Sequence, residues 1–256
     1  MDTIKLYFRL QKSYLKSISS YKADFIMGCV SFFINQAFSI CSLLVLYQFT
    51  YSIDGWGFYK VLLLQSFISL SLSITDMFTD NLWDFSGIII QKGLFDKYLV
   101  RPVHPLLLVI MDRFQIDAIG GVFSSLIMLV VSFIFSKTKF DILFFVYVIC
   151  SCLIIISIKI IIAALAFMMK KSRAVMYMIF TIYNLCSYPI TIYPMCIRYI
   201  LCTIVPFAFC SYYPVSMIFD ADIVMLLVMF LVTLIFLGLS IVFWNFMMKK
   251  YSSSGT

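Results

Sequence analysis

Glutamate is absent from the 256 residues, so all 12 acidic side chains are aspartates. Carboxylate motifs that need Glu, the HExxH metalloprotease among them, are thereby excluded. A single histidine, His104, rules out His-rich metal sites. No glycine stands in the Gly-Lys-Ser/Thr context that cradles nucleotide phosphate, and no GxSxG elbow marks a hydrolase. If ATP powers this protein, another chain binds it. Charged residues are also scarce, at 12%, against about 25% in a typical soluble domain. So little charge cannot cover a water-facing surface.

What is present is apolar. Hydrophobic residues make up 63% of the chain and the mean hydropathy is +1.05, which predicts an all-α membrane protein. The 27 Phe and 16 Tyr suit aromatic belts and lipid-facing surfaces. Eight cysteines, at 29, 41, 150, 152, 186, 196, 202 and 210, fall almost wholly inside apolar runs. With no CxxC pair and no histidine partners, they read as small buried hydrophobes rather than disulfides or zinc ligands.

The net charge of +7 would suggest nucleic acid in a soluble protein. Here Lys and Arg flank apolar segments, so membrane topology explains them better, and no nucleic-acid partner is expected. Lys5, Arg9, Lys12 and Lys16 recur at helical spacing opposite Ile4, Phe8, Leu15 and Ile18. Residues 1–22 therefore read as a cytoplasmic amphipathic helix lying in the membrane interface. No cleavable signal is expected, because five basic residues precede the first apolar run.

Six spans are predicted within a membrane domain of residues 23–248: about 25–47, 61–82, 105–135, 142–169, 175–192 and 223–247. A short tail, 249–256, follows. Between the fifth and sixth spans, Pro194, Pro206 and Pro214 divide an apolar stretch into pieces too short to cross. Such pieces suggest re-entrant or interfacial segments. With six spans, fourteen of the 19 Lys and Arg fall on the side of the termini and four on the other. That bias places both ends in the cytoplasm.

Two charge features call for a role. Asp76, Asp80 and Asp84, four residues apart, share a helix face near the cytoplasmic end of the second span. They would either mark an ion path or pair with Arg113 or Lys92. Lys159 lies too deep in the fourth span to snorkel fully. It would pair with an aspartate inside the bundle or face a subunit interface.

The stretch "KGLFDKYLVRPVHP" at 92–105 carries charges, apolar residues at helical spacing and two prolines between two spans. "GLFDKYLVRPVHPL" at 93–106, "YPITIYP" at 188–194 and "IVPFAFCSYYP" at 204–214, with the span layout and basic N-terminal helix, resemble the permease subunit of a type-2 ABC exporter. The likeness is to the compact bacterial six-span group with a separate ATPase.

The resemblance implies a cytoplasmic coupling helix between spans two and three, with Leu94, Phe95, Asp96, Tyr98, Leu99, Arg101 and Pro102 contacting the ATPase. It implies an outer gate around Pro194, Pro206, Phe207 and Pro214. Two permeases, identical or homologous, would assemble with two ABC ATPase subunits that hold ATP and Mg, among lipids of the bacterial cell membrane. This chain, with no cofactor or ATPase site of its own, would move a peptide, lipid, drug or lipid-linked glycan outward by alternating access. An ion-coupled secondary transporter using Asp76, Asp80 and Lys159 is one alternative. The substrate-capture membrane subunit of a vitamin importer is another.

Overall fold

The computed structural model describes residues 22–138, 140–169, 172–219 and 222–251. The interfacial-helix residues Lys5, Arg9, Lys12 and Lys16 lie outside them. Among the described residues the chain is helical and forms no strand. Long apolar runs dictate this, because a helix satisfies its own backbone hydrogen bonds where no water can.

Among the described residues, five helices are long and apolar enough to cross a membrane. They are α1 (Lys22–Phe49), α2 (Phe58–Thr79), α6 (Ala118–Ser136), α7 (Leu143–Ala164, extended by a 3-10 turn to Phe167) and α11 (Ile223–Met248). Asp54 and Gly55, both at positive φ (49° and 79°), turn the chain between α1 and α2, closed by a bridge from Ile53 to Trp56. Asp222 caps α11, its carboxylate accepting from Val224 N at 2.9 Å.

Two of the expected spans are interrupted. The third begins as α5 (Pro105–Met111), breaks over residues 112–117, and resumes as α6. The break holds Asp112, Arg113, Gln115 and Asp117; Asp112 and Arg113 find their partners on other elements, and Gln115 donates to Asp117. The expected fifth span is not one helix. It runs as α8 (Arg173–Tyr183), then as 3-10 turns at Asn184–Ser187 and Ile190–Ile192 separated by Pro189. Proline has no N–H to continue the ladder and forces the preceding Tyr188 to be extended.

The proline-divided stretch that follows is also short pieces. It comprises α9 (Met195–Tyr199) continued by a π turn to Ile204, a 3-10 turn at Phe207–Cys210, and α10 (Tyr212–Phe219). Phe207 is fully buried, its ring 4.9 Å from that of Tyr183, and Pro206 and Pro214 are buried beside it, whereas Pro194 is exposed. Trp56 meets Tyr212 and Phe219 at ring distances of 5.4 and 6.0 Å. Residues 212–219 therefore sit at the same end of the bundle as the α1–α2 turn.

The central helix is α7, flanked by α2, α11 and the Phe207–Cys210 turn. By contrast, α1 is buried over only 6% of its apolar window and α11 over 17%. α1 is held by α6 and α2. At its crossing with α6, a Cβ on Gly120 would lie 2.7 Å from the Cα of Cys29, so only glycine allows this approach. All eight cysteines are free.

Candidate functional site

Both charge features converge at one end of the bundle. The helix of α2 continues beyond Thr79 through α3 (Asn81–Asp84) and a π turn at Phe85–Ile89, so Asp76, Asp80 and Asp84 stay roughly in line. Lys159 of α7 is fully buried. Its ammonium forms an ion pair with Asp76 and donates to Thr79 Oγ1 at 3.1 Å. Arg113, from the break between α5 and α6, binds Asp80 through Nε at 3.2 Å and Asp84 through Nη1.

These carboxylates line a cleft of about 300 Å³ with Trp83, Arg113, Gln115, Arg173 and Tyr177. A second hollow of about 240 Å³ shares Asp76, Trp83 and Tyr177 with it and is walled by Leu72, Phe180 and Tyr183. Trp83 stands 5.1 Å from Tyr177 and 5.2 Å from Phe180, ring to ring. The hydroxyl of Tyr183 donates to Ile68 O at 2.9 Å and ties α8 to α2. The cleft thus has a charged floor and an aromatic side chamber.

The 92–105 segment lies at the same end. Gly93, at φ 64°, ends the preceding helix in the left-handed conformation that favours glycine. Leu94 N then reaches back to Ile89 O at 2.9 Å. The helix that follows, α4 (Asp96–Leu99), has only four residues. Its inner face is fastened in two ways. The ring of Phe95 is fully buried against Phe85, Phe167 and Tyr251, at 5.5, 5.1 and 5.0 Å. Tyr98 donates to Asp112 Oδ2 at 2.5 Å, and Lys97 donates to the same oxygen at 3.0 Å.

These contacts set two ionisations. Burial pushes the Tyr98 phenol up, and its hydrogen bond to Asp112 adds to the rise. For Lys97, partial burial lowers the ammonium, but the hydrogen bonds and charges of Tyr98 and Asp112 outweigh it, and the net shift is upward.

His104 closes the segment. Its Nδ1 accepts from Leu106 N at 3.3 Å, capping α5, with Pro105 supplying the first helical residue. The proton then sits on Nε2, which donates to Asn245 Oδ1 of α11 at 3.0 Å.

Phe95 and Tyr98, expected among the residues that contact an ATPase, are buried within this chain. Spaced by three, they share the face that turns into the protein's own core. Leu94 and Leu99 are each 45% exposed and Val100 83%, and Asp96, Arg101 and Pro102 are exposed beside them. Helical spacing groups these residues, but it cannot say which group has an internal partner.

Arg173, Trp83 and Tyr177 were not foreseen at the cleft. Arg173 follows Lys170 and Lys171 in sequence and so looks like one more charge of the positive side. Only its place at the start of α8 brings it to the cleft. Asn245 and Tyr251 carry no pattern that would link them to residues 95–104, more than 140 positions earlier.

Neither a curated protein nor a solved structure matches this chain. Residues 33–255 match the model of a family described as "ABC-2 family transporter protein". Its members are membrane components whose ATPase lies on a separate chain. With several membrane-length apolar helices and nearly the whole sequence inside that match, this chain belongs to the ABC-2 transporter family and is a multi-pass permease.

Proposed function

We propose that this permease is half of the membrane unit of an ATP-driven exporter in a bacterial cell membrane. Two copies, or this chain and a homologous one, would assemble with two ATPase subunits that bind ATP and Mg. The observation that carries the reading is the outward-facing apolar surface of Leu94, Leu99 and Val100 on a segment clamped from within. An exposed apolar cluster rimmed by Arg101, Asp96 and Lys97 suits a protein partner. In an ABC-2 permease that partner is the ATPase.

Closure of the ATPases on ATP would move α4. Phe95 would carry the displacement to the rings of Phe85, Phe167 and Tyr251, which belong to three different parts of the chain. His104 would carry it to α11 through Asn245. The reading takes the interrupted stretch 173–192 as the fifth of six crossings, its roughly 20 residues being enough to span. Pro194, Pro206, Phe207 and Pro214 would then belong to re-entrant pieces near the outer face. Both termini would be cytoplasmic, as the basic residues favour, with the interfacial helix of Lys5, Arg9, Lys12 and Lys16 near the ATPase. The cargo is hydrophobic or amphipathic.

Copurification tests this. Expressed with its ATPase, the permease is expected to retain it in mild detergent, and Leu94→Ala/Leu99→Ala/Arg101→Ala to lose most of it while folding normally. Full retention by the triple variant would overturn the role of this surface. ATP-independent, ion-coupled uptake through Lys159, Asp76 and Asp80 would overturn the exporter.

A further inference from the structure

The charges of the cleft do not cancel locally. Asp76 is neutralised from behind by Lys159, which is sealed inside the bundle. Asp80 and Asp84 share a single guanidinium, that of Arg113, which leaves a carboxylate excess on that wall. Arg173 lines the same cleft but makes no ion pair among the described residues. Its Nε is shut off from solvent and has no hydrogen-bond partner there.

The guanidinium of Arg173 is 5.9 Å from the Tyr177 ring. Its stem lies so close over Gly87 that a Cβ there would be 2.6 Å from Arg173 Cδ. Glycine at 87 therefore lets the arginine lie flat, which fixes the direction of its head. The cleft thus offers a cationic point, an anionic wall and, through the shared Asp76, Trp83 and Tyr177, an aromatic chamber.

We propose that this cleft binds a zwitterionic amphiphile, a phosphate–ammonium head group carried on acyl chains. The phosphate takes the terminal nitrogens of Arg173, since a guanidinium matches phosphate oxygens in a charge-assisted fork, while the enclosed Nε helps to fix the plane of the head. The ammonium takes the Asp80–Asp84 wall. The first part of the apolar body lies against Trp83 and Phe180. That this amphiphile is cargo rests on the exporter reading; that it binds does not.

The test uses the permease purified with its ATPase and three short-chain probes of equal acyl length. One has a phosphoethanolamine head, one a phosphoglycerol head and one a simple ammonium head. Binding is read from the fluorescence of Trp83, with Trp83→Phe as the control that must abolish the signal. The zwitterionic probe is expected to bind at least about tenfold tighter than either singly charged probe. Arg173→Gln should weaken the zwitterion about tenfold and leave the ammonium probe nearly unchanged, and Arg173→Lys should keep most of the preference.

Equal affinities for the three probes overturn the proposal, as does an Arg173→Gln variant that still prefers the zwitterion. Should Arg173→Gln not fold, the comparison of probes on the unaltered protein decides alone. A retained ATPase with three equal affinities sinks the site and leaves the exporter standing. A zwitterion preference in a permease that never holds an ATPase does the reverse.

Discussion

At the scale of single residues, burial separates side chains that the sequence presents as equals. Phe95 and Leu99 both belong to the apolar set of the 92–105 segment, yet one is enclosed and the other faces outward. Phe95→Ala is expected to destabilise the permease by about 3–5 kcal/mol, the usual result of emptying a packed aromatic site. Leu99→Ala should stay within about 0.5 kcal/mol and reveal itself only in weaker ATPase retention. Thermal unfolding in detergent, set beside copurification, distinguishes the two; similar melting temperatures for both variants would refute the placement of Phe95. Lys159 supplies a second contrast. Lys159→Met leaves Asp76 without its buried counter-charge and is expected to cost about 3–5 kcal/mol. Adding Asp76→Leu should recover most of that loss, because a matched apolar pair can replace a buried ion pair with little net change. If the double variant is no more stable than the single one, Lys159 acts through something other than Asp76.

At the scale of elements, the clasp of α4 on Asp112 is expected to hold through the neutral pH range. Lys97 is raised above its ordinary 10.5, so its charged form is favoured in the fold. Its contribution is complete below 10.5 and disappears as the pH climbs through the raised value. Tyr98 is raised above 10.0, so the neutral phenol is favoured, and its contribution is likewise lost only at higher pH. Tyr98→Phe removes a hydrogen bond to a carboxylate, worth about 1.5–3 kcal/mol. The stability gap between Tyr98→Phe and the unaltered protein should therefore be constant from about pH 6 to 9 and narrow above about pH 10.5. A gap that closes already near neutrality would contradict this clasp. The spans themselves were largely legible: α1, α2 and α11 begin and end within three residues of their apolar runs, and so does α7 together with its 3-10 turn to Phe167. The breaks were less so. Pro189 could be seen in the sequence, but an apolar run with one proline can kink, break or pass undisturbed. Only the packing of the Asn184–Ser187 turn against α2, with the Tyr183 hydrogen bond to Ile68, decides among these.

At the scale of the whole molecule, α1 and α11 turn most of their apolar surface outward. The bilayer, or a second permease, is the surrounding they suit. If both termini are cytoplasmic, cysteines placed at Lys97 and Lys137 face opposite sides of the membrane. In intact cells an impermeant maleimide should label Lys137→Cys and leave Lys97→Cys unlabelled until the cells are opened. Equal labelling of both would reject the six-crossing orientation. That this is a helical membrane protein, where its apolar runs lie and which family it resembles could all be read from the sequence. Those properties are written in composition and in local motifs, which neighbouring residues define without help. Packing across the fold is what turns Phe95 and Tyr98 inward, pairs Lys159 with Asp76, and brings Arg173 into a cleft with Asp80 and Asp84. Each is a pairing between segments far apart in the chain, and helical periodicity places a residue on a face without saying what that face will meet.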